Sequence, residues 1–267
     1  MHNLYLCISN DRKVSIMKTA RHLLVAIAPL LLTTLLSSAA GVQTTALAPN
    51  EVLKRAAANE EKIQAAEVNY FYRQDILVQV FGENNSIRDQ LHRVSEMTYD
   101  DLGNRVEKII EYPSSRLTVA LGVLQVDFKN LLGVNPFFLT TQSLSSYSTK
   151  FIKQEKIDDL NTYLFEVEPA DPKAVTKTKE RGEHLFAGKI WIDDQDFQIV
   201  KMEGRALTAK DERSKFPKFE CYRENVEGNL WMPSIVYAKD LLEYPRYDIP
   251  IKIDIKYTGY KLIKKRR

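Results

Sequence analysis

The sequence is poor in the residues that staple folds or carry common chemistries. It holds two cysteines in 267 residues, and one of them, Cys7, precedes an apolar leader. The single remaining thiol, Cys221, cannot form an internal disulfide, so the fold must be held by its core. It sits in an alternating stretch, "KFECYREN", and reads as a small apolar filler. Beyond residue 40 only His92 and His184 remain of four histidines. Neither belongs to an HxxxH or HExxH spacing, and with a lone thiol they make no zinc set. Ten glycines are present but never as GxGxxG or GxxxxGK[ST], which excludes the common phosphate cradles. GxSxG is absent as well, and no acid–base pair stands out. The sequence therefore points to no enzyme, no cofactor and no metal. It also lacks βαβ alternation and any repeat of solenoid period.

The N-terminus is different in kind. From Met17 the chain reads "MKTARHLLVAIAPLLLTTLLSSAAGV". Lys18 and Arg21 lead an apolar run from Leu23 to Leu36, followed by small residues, the three-part plan of a secretory signal. Ser38 and Ala40 suit cleavage after Ala40; a cut after Ala48 is disfavoured by Pro49. The 14-residue run is short for a span of roughly 20, although an uncleaved anchor is the alternative. Met17 is the expected start, with Met1 as the alternative, and residues 1–16 read as a leader without periodicity. The organisation expected is a leader and signal over 1–40 and one exported domain over 41–267. No cysteine follows the apolar run, so no lipid-attachment box exists.

Residues 1–40 hold four of the 38 Lys and Arg and one of the 35 Asp and Glu, which leaves 34 of each beyond them. A chain without net charge carries no field for nucleic acid. The basic tail "KLIKKRR" reads as a solvated terminus, with a weak contact to anionic lipid as the other reading.

What the sequence does have is period-two alternation. "PNEVLKRAAANEEKIQAAEVNY" comes first and is helical, with Asn50 as the expected cap and a stripe of Val52, Leu53, Ala56, Ile63 and Ala66. From Tyr72 onward apolar and polar residues alternate through Ile76, Val78 and Val80, again over 88–99, and again through Val106 to Tyr112. Turn residues in "GENNS" and "DDLGN" separate these runs. Residues 114–139 break the rule, and "DFKNLLGVNPFFL" suggests a short helix over 125–132 followed by a rigid segment. "SLSSYS" reads as a loop. Alternation then resumes in "TYLFEVEP", "GKIWID", "FQIVKMEG", "FECYRENV", "LWMPSIVYAKD" and "IKIDIKYTGYKL". Eight to eleven strands are expected. The fold class is mainly β with helices (α+β), a large curved antiparallel sheet with helices from 50–68 and 125–132 on its concave side.

"DDQD" brings Asp193, Asp194 and Asp196 together, and three carboxylates could hold a hard cation. The spacing is not that of an EF-hand, and Phe197 and Ile199 restart a strand at once. A hairpin turn, in which Asp bonds to nearby backbone N–H groups, is the better reading. The aromatics carry more: 13 Tyr, 11 Phe and two Trp are spread over many strands. They can be ordinary core, or they can line a cavity for acyl chains. The candidate cavity or lid residues are Phe137, Phe138, Tyr163, Phe165, Trp191 and Trp231.

"FAGKIWIDDQDFQIVKMEGRA" resembles the strand pair of the outer-membrane lipoprotein-sorting proteins, the periplasmic lipoprotein carrier (LolA/LolB-like) superfamily. There a G-x-[IL]-W-[IV]-D strand returns through I-V-[KR]. "FPKFECYRENVEGNLWMPSIVYAKD" and "IKYTGYKLI" resemble an exported bacterial branch of that group, over roughly residues 50 to 262. The resemblance implies a half-open β-barrel with a helical lid over an apolar cavity. It also implies a carrier whose partners are acyl chains of lipoproteins or other lipids. The alternative is a non-catalytic envelope scaffold or sensor that binds a protein partner, with envelope membrane proteins in view. The acylated N-terminal Cys of the lipoprotein receptors is missing here, and no ligand-contacting residue carries over. "GVNPFFL" is the candidate plug of the empty cavity.

Overall fold

The computed structural model describes residues 47–111, 139–171, 185–207, 216–228, 230–243 and 248–263. Its first element is helix α1, Pro49–Glu67. Pro49 occupies the first helical position, where a missing N–H costs nothing because no carbonyl precedes it to accept one. The cap is therefore Ala48, without a side-chain hydrogen bond, rather than Asn50. Val52, Leu53, Ala56, Ala57 and Ile63 are buried on one stripe, and the alanines let the helix lie close to its neighbours.

Ten strands follow among the described residues: β1 Tyr70–Phe81, β2 Ile87–Tyr99, β3 Arg105–Glu111, β4 Tyr147–Ile157, β5 Leu160–Pro169, β6 Phe186–Asp193, β7 Ile199–Ala206, β8 Phe219–Glu227, β9 Leu230–Glu243 and β10 Asp248–Leu262. A one-turn helix, α2, Thr141–Leu144, precedes β4 and is capped reciprocally by Thr140 and Ser143. The strands form one antiparallel sheet in the order β3-β2-β1-β10-β9-β8-β7-β6-β5-β4. Neighbours in sequence are neighbours in the sheet, except that β3 and β4 take opposite edges and the last strand returns beside the first. Thus Ile76 faces Ile255 and Val78 faces Ile253 across β1 and β10. Among the described residues the sheet is open, since β3 and β4 do not pair with each other. The fold is mainly β, an open antiparallel sheet with α1 on one face.

Alternation sends one set of side chains to the face that α1 covers, called the inner face below. Tyr72, Ile76, Val78 and Val80 of β1 join Leu91, Phe165, Ile190, Cys221, Val236, Ile253 and Ile255 there, in one core with Val52, Leu53 and Ala56 of α1. A smaller apolar cluster, Leu164, Trp191 and Val200, sits on the opposite face of β5–β7. Gly188 and Gly204 are paired across β6 and β7. A Cβ on Gly204 would come within 2.6 Å of the Phe186 ring, which lies across this pair. Small residues here make room for an inner-face aromatic.

Strand β4 and helix α2 differ from the sequence reading, which made "SLSSYS" a loop and resumed the sheet only at residue 162. The reason is local. β4 is an edge strand with Lys150, Lys153, Glu155 and Lys156, and a bulge between Phe151 and Lys153 breaks its period of two. The expected helix over 125–132 and the "NPFFL" segment lie outside the described residues, apart from Leu139, which is buried in the main core.

Candidate functional site

The inner face changes character from one edge of the sheet to the other, and α1 spans the change. In its middle, Glu60 of α1 meets Arg223 of β8 through two hydrogen bonds, Nη1 to Oε1 at 2.5 Å and Nη2 to Oε2 at 3.0 Å. Both side chains are wholly buried. Burial disfavours the Arg223 charge, but the Glu60 carboxylate more than offsets it and the guanidinium is held above its ordinary value. Beside it, burial pushes the Cys221 thiol up to about 11. Such a thiol is protonated at neutral pH and is no nucleophile.

Toward β3, under the last turn of α1, the face is polar and closely hydrogen-bonded. The Tyr99 hydroxyl donates to Glu67 at 2.6 Å. Arg105 donates to Gln74 at 3.3 Å, Ser95 donates to Glu107 at 2.7 Å, and Arg93 pairs with Glu107 at 3.2 Å. The rings of Tyr72 and Tyr260 lie 5.2 Å apart, and Tyr257 is 5.9 Å from Tyr72. Burial, followed by nearby carboxylate, hydroxyl or thiol groups, holds the hydroxyls of Tyr99, Tyr257 and Tyr260 well above the usual tyrosine range.

Toward β4 the face is aromatic and has few polar ties. Phe165 is fully buried, whereas Phe151, its cross-strand partner at the edge, is 38% exposed. Their rings meet edge to face at 5.5 Å, and Tyr163 lies 6.4 Å from Phe151. Next to it, Ile152 in the bulge is 40% exposed. An apolar path thus runs from the core to solvent at this edge.

The sequence-derived candidates separate. Tyr163 and Phe165 lie together on the inner face. Trp191 belongs to the cluster on the opposite face, where its Nε1 donates to Glu155 at 2.7 Å and Lys201 sits 4.8 Å above its ring. Trp231 packs against that same cluster and donates to Asp196 at 3.0 Å. Phe137 and Phe138 lie outside the described residues. Phe151, Glu60 and Arg223 were not singled out. Glu60 did leave a signal, since it continues the stripe of Leu53, Ala56 and Ala57 at helical spacing. Arg223 likewise follows Phe219 and Cys221 at every second position.

The "DDQD" segment is a turn. Asp193 accepts the backbone N–H groups of Gln195 and Asp196 at 3.0 and 3.1 Å. Burial pushes the pKa of its carboxyl up from the ordinary carboxylate value, against the pull of those two donors. The turn also holds α1, because Asn59 donates to the carbonyls of Asp196 and Phe197 at 2.8 and 3.2 Å. Across the sheet, on the face away from α1, His92 lies 2.9 Å from Asp75 in an open groove of about 580 Å³ that Leu77, Gln90, Asp254 and Lys256 complete. No group of three His, Cys, Asp or Glu able to hold a metal ion occurs among the described residues. No described helix is long and apolar enough to cross a membrane.

No protein-family model and no curated protein matches the sequence. Solved structures do. A DUF1329 family protein from Desulfovibrio piger shares 8% identity over 78% of this chain and 92% of its own, with a TM-score of 0.39. A LolA superfamily protein from Nitrosomonas europaea shares 11% over 83% and 96%, with a TM-score of 0.34. An outer membrane lipoprotein-sorting protein domain from Vibrio parahaemolyticus shares 10% over 80% and 95%, with a TM-score of 0.35. The structures similar to this chain thus include the lipoprotein-sorting group that its hairpin motifs resemble. At these identities and scores, none of them transfers a ligand, a partner or a site residue to it.

Proposed function

We propose that the chain is an exported, non-catalytic binding protein that shelters acyl chains of lipoproteins or other amphiphiles on the α1-covered face. The observation that carries this reading is the aromatic row that passes from buried Phe165 to half-exposed Phe151 at an open sheet edge. An acyl chain needs apolar walls and a way in, and that edge offers both. The signal-like segment from Met17 and the resemblance of the hairpin motifs to sorting proteins support a role in the bacterial periplasm.

Energetics favour partial rather than full enclosure. Each buried CH₂ is worth roughly 0.8 kcal/mol, so a chain of about 16 carbons fully removed from water would supply roughly 12 kcal/mol gross. A carrier gripping that hard would not release. An open edge leaves part of the chain in contact with water and lowers the affinity.

Native mass spectrometry with lipid extraction, on protein purified from a bacterial periplasm, tests the reading. Near-stoichiometric acyl species are expected, together with a rise in Tm when fatty acids, phospholipids or lipopeptides are added. An empty protein whose Tm ignores all three rejects it. The second reading is a scaffold that binds a protein partner. It is favoured by β3, an edge strand whose residues are all exposed, Val106, Ile109 and Ile110 among them.

A further inference from the structure

Helix α1 is tied down along its length. Near its start the Arg55 guanidinium lies 4.9 Å over the Phe197 ring. Asn59 binds two carbonyls of the β6–β7 turn, and Glu60 forms its buried pair with Arg223. Glu61 accepts the backbone N–H of Thr141 at 3.0 Å, and Glu67 accepts the Tyr99 hydroxyl. Lifting this helix would separate two charges that no water reaches, and the separated charges would have to be hydrated or left unpaired. A helix so placed makes a poor gate.

The β4 edge has the opposite construction. β4 pairs only with β5 among the described residues. Its bulge interrupts the ladder between Phe151 and Lys153, and the two exposed apolar side chains, Phe151 and Ile152, stand at that interruption. Phe151 meets Phe165 and Tyr163 through ring contacts alone, which a half-exposed ring can give up for an acyl chain of like polarity.

We propose that α1 is a fixed roof and that a single acyl chain enters and leaves through the β4 edge, with Phe151 and Ile152 lining the port. This rests on the acyl-binding reading above. The roof then keeps the inner face dry while the edge sets the rate of loading. Phe151 is a positioning residue for the incoming chain and contributes little to the folded core.

The test uses the full chain and a fluorescent polyene fatty acid as probe. Asn59→Cys with Asp196→Cys, closed by a short thiol cross-link and verified by peptide mass, fastens α1 to the β6–β7 turn. Loading within about twofold of the uncross-linked protein is expected, whereas Phe151→Glu is expected to slow loading by about tenfold without lowering Tm. Loss of loading on cross-linking, restored when the link is cleaved, overturns the proposal, as does unchanged loading in Phe151→Glu. Hydrogen exchange gives a readout that needs no ligand. Amides of residues 52–64 should exchange as slowly as those of β9 and β10, and those of β4 faster. The reverse order overturns the fixed roof. If the unaltered protein takes up no probe at all, the acyl-binding reading fails and the port with it, while exchange still decides whether α1 is fixed.

Discussion

The two edges of the sheet are built from different forces. At the β3 edge the inner face is held by directional bonds, Tyr99 to Glu67, Ser95 to Glu107 and Arg105 to Gln74. At the β4 edge the inner face is held by the rings of Phe151, Tyr163 and Phe165. Hydrogen-bonded groups fix one geometry and lose energy when any partner is displaced. Aromatic contacts are non-directional by comparison, and an apolar ligand can replace them with little loss. Helix α1 lies on the same face, tied to the β3 end through Glu67 and to the β6–β7 turn through Asn59. The difference suggests why a ligand would be admitted at one edge and excluded at the other.

The largest expected effect removes the tie between the two ends. Arg223→Met leaves the Glu60 carboxylate buried without its partner and should cost about 3–5 kcal/mol of stability by denaturant unfolding. Adding Glu60→Leu should recover most of that loss, because two apolar side chains can fill the site of the pair. If the double variant is no better than the single one, the pair is not what strains Arg223→Met, and the roof is held by something else.

The aromatic edge can be sharpened by two truncations. Phe165→Ala should cost about 3–5 kcal/mol, as for other buried phenylalanines. Phe151→Ala, at 38% exposure, should cost less than about 1 kcal/mol. Equal losses would mean that the gradient from core to edge does not exist.

The polar edge answers to pH instead. Burial, then the nearby Glu67 carboxylate, keep the Tyr99 hydroxyl protonated in the folded chain beyond its ordinary range. The unfolded tyrosine ionises near its ordinary value of 10.0. Stability from this group is therefore complete below that pH and is lost as pH rises past it. Tyr99→Phe should cost about 1.5–3 kcal/mol at pH 7, the range for a hydrogen bond to a charged group. It should also flatten the alkaline fall in unfolding free energy. At the β4 edge the direction reverses. Lys153 and then Trp191 hold Glu155 below its ordinary range, so its small contribution is present above that range and fades on acidification.

How legible this was depended on burial. Strands with one buried face, such as β1 with Ile76, Val78 and Val80, announced themselves through alternation, because the core selects every second residue. β4 did not. An edge strand has no core to satisfy along its free side, and its bulge shifts the period at Ile152. The site suffered for the same reason, since the port residue sits on the strand that alternation could not reveal. Tyr163 and Phe165 were legible because their strand is buried. Trp191 shows the limit of aromatic counting. Alternation places it opposite Phe165 once the cross-strand pair Leu164 and Trp191 is known, but that register is a tertiary fact. The buried pair of Glu60 and Arg223 was half-written, in two charged residues at core positions of two separate elements.

The smallest expected effect comes from the β6–β7 turn, which belongs to neither edge and serves as their control. Asp193 is buried and accepts two backbone N–H groups, whereas the Asp194 carboxylate accepts only from the neighbouring Gln195 amide, at 2.7 Å and in water. Asp193→Ala should cost about 1–2 kcal/mol, since two turn donors lose their acceptor. Asp194→Asn should stay within about 0.5 kcal/mol and leave acyl loading unchanged. A site that used these carboxylates to bind a cation would behave otherwise. Both variants would then lose a calcium-dependent rise in Tm that the unaltered chain showed. Differential scanning with and without calcium separates the two cases. A turn gives unequal losses and no calcium effect, because Asp193 works through its backbone donors and Asp194 through almost nothing.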